Sequence, residues 1–155
     1  MRHDIVKYIT RRCNVFFVVD RDGEVWGVAV SSSRLFVVHD SPSISVFDVE
    51  LNYKLIKEIK LNELIEGGES SMLRDIVSCS ETRELFACDC SKNRVIRLNV
   101  DDSSDSPVEL WIKLDFTPDT MSVQSKRLLI TPVTWEQHSS PGDTLYSSIR
   151  QYWRS

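Results

Sequence analysis

The sequence predicts an all-β fold built from repeated four-stranded antiparallel units, and two observations carry that expectation. Short apolar runs of β-branched and aromatic residues recur along the chain, separated by breaks rich in Ser, Asn, Asp and Lys, the pattern of strands joined by tight turns. The stretch 73–99 shows this most plainly. Asp75 to Cys79, Leu85 to Asp89 and Val95 to Leu98 are strand-like, with polar breaks at 80–84 and 90–94. The second observation is that content repeats as well as spacing: Leu35-Phe36 is matched 50 residues later by Leu85-Phe86, and 43 residues after that by Leu128-Leu129. Periods of roughly 40 to 50 residues with four strands each are the mark of β-propeller blades. A β-sandwich also accommodates short, evenly spaced strands. The recurring Leu-Phe or Leu-Leu that opens the second strand, and the Asp-Ser or Cys-Ser that closes it, favour the propeller.

Taken in order, residues 1–12 are mixed and basic and form an N-terminal arm. Cys13 to Asp20 reads as a strand, ended by the Asp22-Gly23 turn, where glycine supplies a positive φ. The first unit, about 25–61, comprises Val25 to Val30, Arg34 to His39, Ile44 to Val49 and Lys54 to Leu61. In its last strand, lysines among Leu55, Ile59 and Leu61 suit an exposed outer edge. A polar loop containing Gly67-Gly68 leads to the second unit, about 73–114, whose outer strand is Val108 to Leu114. The third unit, about 119–153, opens with Thr120 to Val123 and Arg127 to Thr131, becomes irregular after Val133, and ends in Leu145 to Trp153. Cys13 to Asp20 is the candidate to close this last blade as its outer strand.

A chain of 155 residues, 41% hydrophobic and 27% charged, is one domain able to bury a core. Its net charge of −4 argues against a protein devoted to neutralising phosphates. The charged N-terminus offers only Val15 to Val19 as an apolar run, too short for an export signal or a membrane span. Cys13, Cys79, Cys88 and Cys90 are then expected as reduced thiols in a cytoplasmic protein.

No nucleophile elbow, HExxH motif or phosphate-binding glycine loop occurs, and His3, His39 and His138 are dispersed. Cys88 and Cys90 share a strand face, with Cys79 on the neighbouring strand, but a fourth ligand and zinc-site spacing are lacking. Asp20 to Glu24 is too short for a calcium loop. Arg74, Lys92, Arg94 and Arg97 form a candidate basic stripe, without interleaved aromatics for base stacking and with Asp75 and Asp89 close by. The acidic serine loop 101–107 is a physically easy phosphorylation target.

In a propeller, the turns between second and third strands and the residues leading into each first strand share one rim. That rim is the candidate partner-binding surface: Asp22, Glu24, Trp26, Asp40, Arg74, Asp75, Asp89, Lys92, Arg94 and Asp119. Trp and Arg are the usual anchors of such surfaces.

The run Phe86-Ala87-Cys88-Asp89-Cys90-Ser91-Lys92-Asn93-Arg94-Val95 resembles the NHL repeat: an apolar strand, an Asp, small polar residues, Asn-Arg and a β-branched residue. Val38 to Asp48 echoes it without the Asn-Arg pair, and the third unit departs from it after Thr131. No Trp-Asp pair ends a strand, as WD repeats would have. The resemblance implies a non-catalytic scaffold that presents one face to a protein partner, with no cofactor. Calcium-dependent lactonase-like propeller hydrolases are the rival class, and single-stranded RNA binding is a third. Propellers have about four to eight blades. About three blades therefore imply either two copies closing one ring or a piece of a longer propeller, and the decay of the third unit favours the second.

Overall fold

The computed structural model describes residues 25–39, 41–99, 108–133 and 150–152. Its first sheet runs in order through β1 (Val25–Ser31), β2 (Arg34–His39), β3 (Ser43–Asp48) and β4 (Lys54–Lys60). The second repeats the meander with β5 (Leu73–Cys79), β6 (Glu84–Asp89), β7 (Arg94–Asn99) and β8 (Val108–Lys113). The third contains β9 (Pro118–Gln124), β10 (Arg127–Pro132) and β11 (Arg150–Tyr152), in the order β11-β10-β9. Every pairing is antiparallel. These are blades of a β-propeller. Described strands fall within one or two residues of the runs read from the sequence. The exception is the chain's last strand: its described part is the three residues of β11. The third blade has three strands among the described residues, and the segment Cys13 to Asp20, expected to close it, lies outside them.

The second strand of each blade explains the periodicity. In β2, Phe36 and Val38 face the second blade, joining Ile44, Val46, Ile76, Leu85, Ala87 and Ile96 in one core. Leu35 and Val37 point the other way and pack with Phe47. In β6 the same division holds, with Leu85 and Ala87 turned to the first blade and Phe86 and Cys88 turned to Met121, Leu128 and Ile130 of the third. The Leu-Phe pair thus supplies one side chain to each face. This is why both strands read as unbroken apolar runs, not as alternating ones. A sandwich has one core between two sheets, whereas the middle sheet here carries a core on each face. Each fully buried Leu, Ile, Val or Phe contributes about 1.5–3 kcal/mol relative to exposure.

The outer strand β4 buries Ile59 and leaves Leu55 and Ile56 exposed among its lysines. The following loop is built from two short 3-10 turns, Leu61–Glu63 and Gly68–Ser70. Gly68 lies against the Leu61 carbonyl, where a Cβ has no room. The β9–β10 hairpin turns on two left-handed residues, Ser125 (φ 48°) and Lys126 (φ 63°), which match the twist of the flanking strands.

First strands pack in series, β1 against β5 and β5 against β9. The approach of β1 to β5 is closest at Gly27, where a Cβ would meet the Ile76 nitrogen at 2.9 Å and the Asp75 Cα at 3.0 Å. Both are backbone atoms and cannot swing aside. Gly27→Ala should therefore lower the unfolding free energy by about 1–3 kcal/mol in urea denaturation, although alanine at an unstrained strand position would otherwise be neutral or stabilising. An unchanged or raised midpoint would mean that the two strands do not approach this closely.

Candidate interaction rim

The site is built by an irregularity that recurs in all three blades. β1 pairs Val25 with His39 and then Gly27 with Val38, so Trp26 is skipped. β5 pairs Leu73 with Asp89 and then Asp75 with Cys88, skipping Arg74. β9 pairs Pro118 with Pro132 and Thr120 with Thr131, skipping Asp119. Each blade therefore places a bulge at the second residue of its first strand. An extra residue in one strand kinks it and re-aims the side chain.

Because the first strands lie side by side, the three bulged side chains meet. The Arg74 guanidinium stacks over the Trp26 ring, 4.2 Å from its centroid. Its Nε donates to Asp119 Oδ1 at 3.3 Å. The result is a Trp-Arg-Asp ladder crossing three blades at one end of the inner strands. The Arg74 and Asp119 side chains keep 32% and 39% of their surface, so solvent and a partner can reach them, and their ion pair contributes little to stability.

Beneath the ladder lies Asp75. Its Oδ2 accepts from the Met121 N–H at 2.7 Å, in the next blade, and its Oδ1 from the Ile76 N–H at 2.8 Å. Burial raises its pKa from the ordinary 3.8 to about 6; the two amides oppose that rise and the Asp119 charge adds to it. With both oxygens engaged by backbone, this carboxyl is a cross-link between β5 and β9. Cys88, beside it, donates from Sγ to the Asp119 carbonyl at 3.6 Å. Burial foremost, and the Asp75 charge, push its pKa well above the usual thiol range. Cys90 is half-buried; burial raises its pKa, Arg74 lowers it and Asp89 raises it. Both are protonated thiols at neutral pH, poor as nucleophiles or metal ligands.

The remaining rim residues have other occupations. Asp89 and Arg94, the acidic and basic members of the NHL-like run, are buried with 0% and 9% side-chain exposure and joined at 2.9 Å. Arg94 also donates to the Glu66 carbonyl at 2.9 Å and to Ser71 Oγ at 3.0 Å, while Asp89 accepts from the Met72 N–H at 3.1 Å. Together they clamp the β6–β7 turn to the loop before β5 and do not face a partner. The first blade fills the same turn with His39, whose Nε2 lies 3.0 Å from Ser45 Oγ, and with Ser41, 2.8 Å from Ser43. Lys92 is exposed in the β6–β7 turn, its stem beside Gly67. Asp22, Glu24 and Asp40 lie outside the described residues.

Trp26, Arg74, Asp75 and Asp119 are thus brought together, and Asp89 and Arg94 are withdrawn. The basic stripe also dissolves: Arg97 pairs with Glu84 at 3.1 Å and with Glu109, leaving little net positive field along it. Cys90, which is not among the rim residues expected from the sequence, also lies near Arg74 and Asp89, and its place in the second-to-third-strand turn is the cue to it.

Neither a protein-family model nor a curated protein matches the sequence. Solved structures do match, and they show the fold. A luciferin-regenerating enzyme aligns with a TM-score of 0.54 at 11% identity, over 76% of this chain and 40% of its own. Hydrazine synthase from Kuenenia stuttgartiensis aligns at 0.54 and 18%, over 73% and 31%. Raptor from Chaetomium thermophilum aligns at 0.53 and 14%, over 77% and 11%. This chain therefore spans less than half the length of each. No helix among the described residues is long and apolar enough to cross a membrane.

The raised pKa of Asp75 gives a pH signature. A folded carboxyl that holds its proton more tightly than the unfolded one stabilises the fold below about pH 4, and that contribution disappears as pH rises to about 6. Across this interval, wild-type stability relative to Asp75→Asn should fall by on the order of 2 kcal/mol, read from urea midpoints at each pH. A difference that stays flat from pH 4 to 6 would place the Asp75 pKa at its ordinary value.

Proposed function

We propose that the chain is a non-catalytic protein-interaction scaffold built on propeller blades of the NHL kind, with the Trp26-Arg74-Asp119 ladder as the anchor of its binding rim. The observation that carries this reading is the threefold bulge. Three blades spend an irregularity at equivalent positions to gather an aromatic, a cation and an anion at one end of the inner strands. The half-buried indole, packed against the core of the first two blades and capped by the Arg74 guanidinium, fixes a rigid anchor, and the half-exposed Arg74 and Asp119 offer a partner charges for orientation.

The NHL-like run supports the reading in a different way. Its Asp89-Arg94 clamp fixes the turn that flanks the ladder, so its contribution is to architecture and not to contact. The rest of the ring comes from a second copy or from a longer chain that contains these blades. Among the described residues, no three or more His, Cys, Asp or Glu side chains converge as a metal-binding group, so the calcium-dependent hydrolase reading draws no support from them. Single-stranded RNA binding draws little, because three of the four cations proposed for it are matched by carboxylates.

Selection of random displayed peptides on the purified chain should enrich a sequence whose affinity drops by about tenfold or more in Trp26→Ala. Asp119→Ala, which removes only a half-exposed ion pair, should weaken the same peptide with an unchanged melting temperature. Selected peptides that bind both variants as tightly as wild type would move the interaction surface away from the ladder.

A further inference from the structure

The opposite end of the inner strands carries a second arrangement. There β1 ends in Val30-Ser31 and turns through Ser32, while β5 ends near Ser78 and turns through Ser80 to Arg83. Because β1 and β5 pack side by side, these ends enclose a cleft of about 180 Å³, lined by Val30, Ser31, Ser32, Ser78, Ser80 and Arg83. It is too small for a drug-sized ligand, for which pockets run from roughly 300 to 1,000 Å³.

The chemistry of this lining is one-sided. Its lining residues are four serines, one arginine and one valine, with no acidic residue among them. Nearby acids are engaged elsewhere: Glu81 faces Lys126 at 3.6 Å, and Glu84 holds Arg97 at 3.1 Å. Serines at the ladder end are tied within the chain, as in Ser45 with His39, Ser41 with Ser43, and Ser91 with Asp89. Among the described residues, Ser31, Ser32, Ser78, Ser80 and Arg83 have no side-chain hydrogen bond or ion pair of this kind. Hydroxyls are matched to donate to oxyanions, and a guanidinium binds a tetrahedral oxyanion through parallel N–H donors at fixed spacing.

We propose that this cleft is a binding site for a phosphate group, either free or carried on a small monoester. Arg83 supplies the charge and the serine hydroxyls complete the cradle. Discrimination follows from size: a single phosphate group fits the cleft, while a nucleotide-sized ligand gains no further wall. The site lies at the opposite end of the inner strands from the ladder.

The test is an amide NMR titration of the chain with sodium phosphate and, separately, with O-phosphoserine, at constant ionic strength set by sodium chloride. Saturable shifts centred on Ser31, Ser80 and Arg83, with no comparable shift at Arg74, are expected with one or both ligands. Saturation by both identifies free phosphate as sufficient, and saturation by phosphoserine alone identifies a monoester as the natural form. Arg83→Gln, an exposed turn substitution, should weaken binding by about tenfold or more, and Ser80→Ala should weaken it less. Shifts that never saturate, or that persist unchanged in Arg83→Gln, would overturn the proposal.

Discussion

The close approach of neighbouring first strands is the constraint on which the rest of this structure depends. Blades of a propeller touch through their sheet faces, but their inner edges must also converge, and here convergence requires two local solutions. Between the first and second blades, Gly27 removes a Cβ so that β1 lies almost on the backbone of Asp75 and Ile76. Between the second and third, the Asp75 carboxylate spans the gap and accepts the Met121 amide. One residue thus stands at both junctions. The bulges follow from the same crowding: a strand with an extra residue bends, and the bend lets Trp26, Arg74 and Asp119 clear the packed backbone and meet above it. The ladder is a by-product of closure before it is a surface for anything else.

A carboxyl of this kind is costly, and its cost is informative. Its displacement toward pH 6 reflects removal from water that two amide hydrogen bonds only partly offset. A neutral residue of similar shape would avoid that penalty but could not offer two acceptors to two amides. The Asp89-Arg94 pair raises the same question and answers it differently, because each partner satisfies the other and the surrounding backbone as well. Truncating either would leave an uncompensated buried charge, an effect worth about 3–5 kcal/mol.

The fold was legible because the two faces of each second strand write directly into the sequence. Leu35-Phe36 and Leu85-Phe86 each send one side chain to each face of their sheet, and Leu128 packs toward the second blade, so spacing and content repeat together. The rim was legible in part. That Trp26, Arg74, Asp75 and Asp119 share one end of the inner strands follows from topology, because all four lie at or near the start of first strands. Their mutual contact was not legible, since a bulge in an antiparallel pair depends on the register of two strands and leaves no signature in one. The local sequence places Asp89 and Arg94 on the surface, as charged residues in a turn normally are. Their burial depends on the loop 61–72 folding over them, a long-range fact that the local run does not contain.

Asp75 links the second and third blades, and amide hydrogen exchange tests that link most directly. In the wild-type chain the Met121 amide should be protected, and in Asp75→Ala its protection should drop selectively, with the β6–β7 amides exchanging at unchanged rates. Equal protection of Met121 in both proteins would contradict this link, because it would mean that the inner strands are held together by something other than this carboxylate.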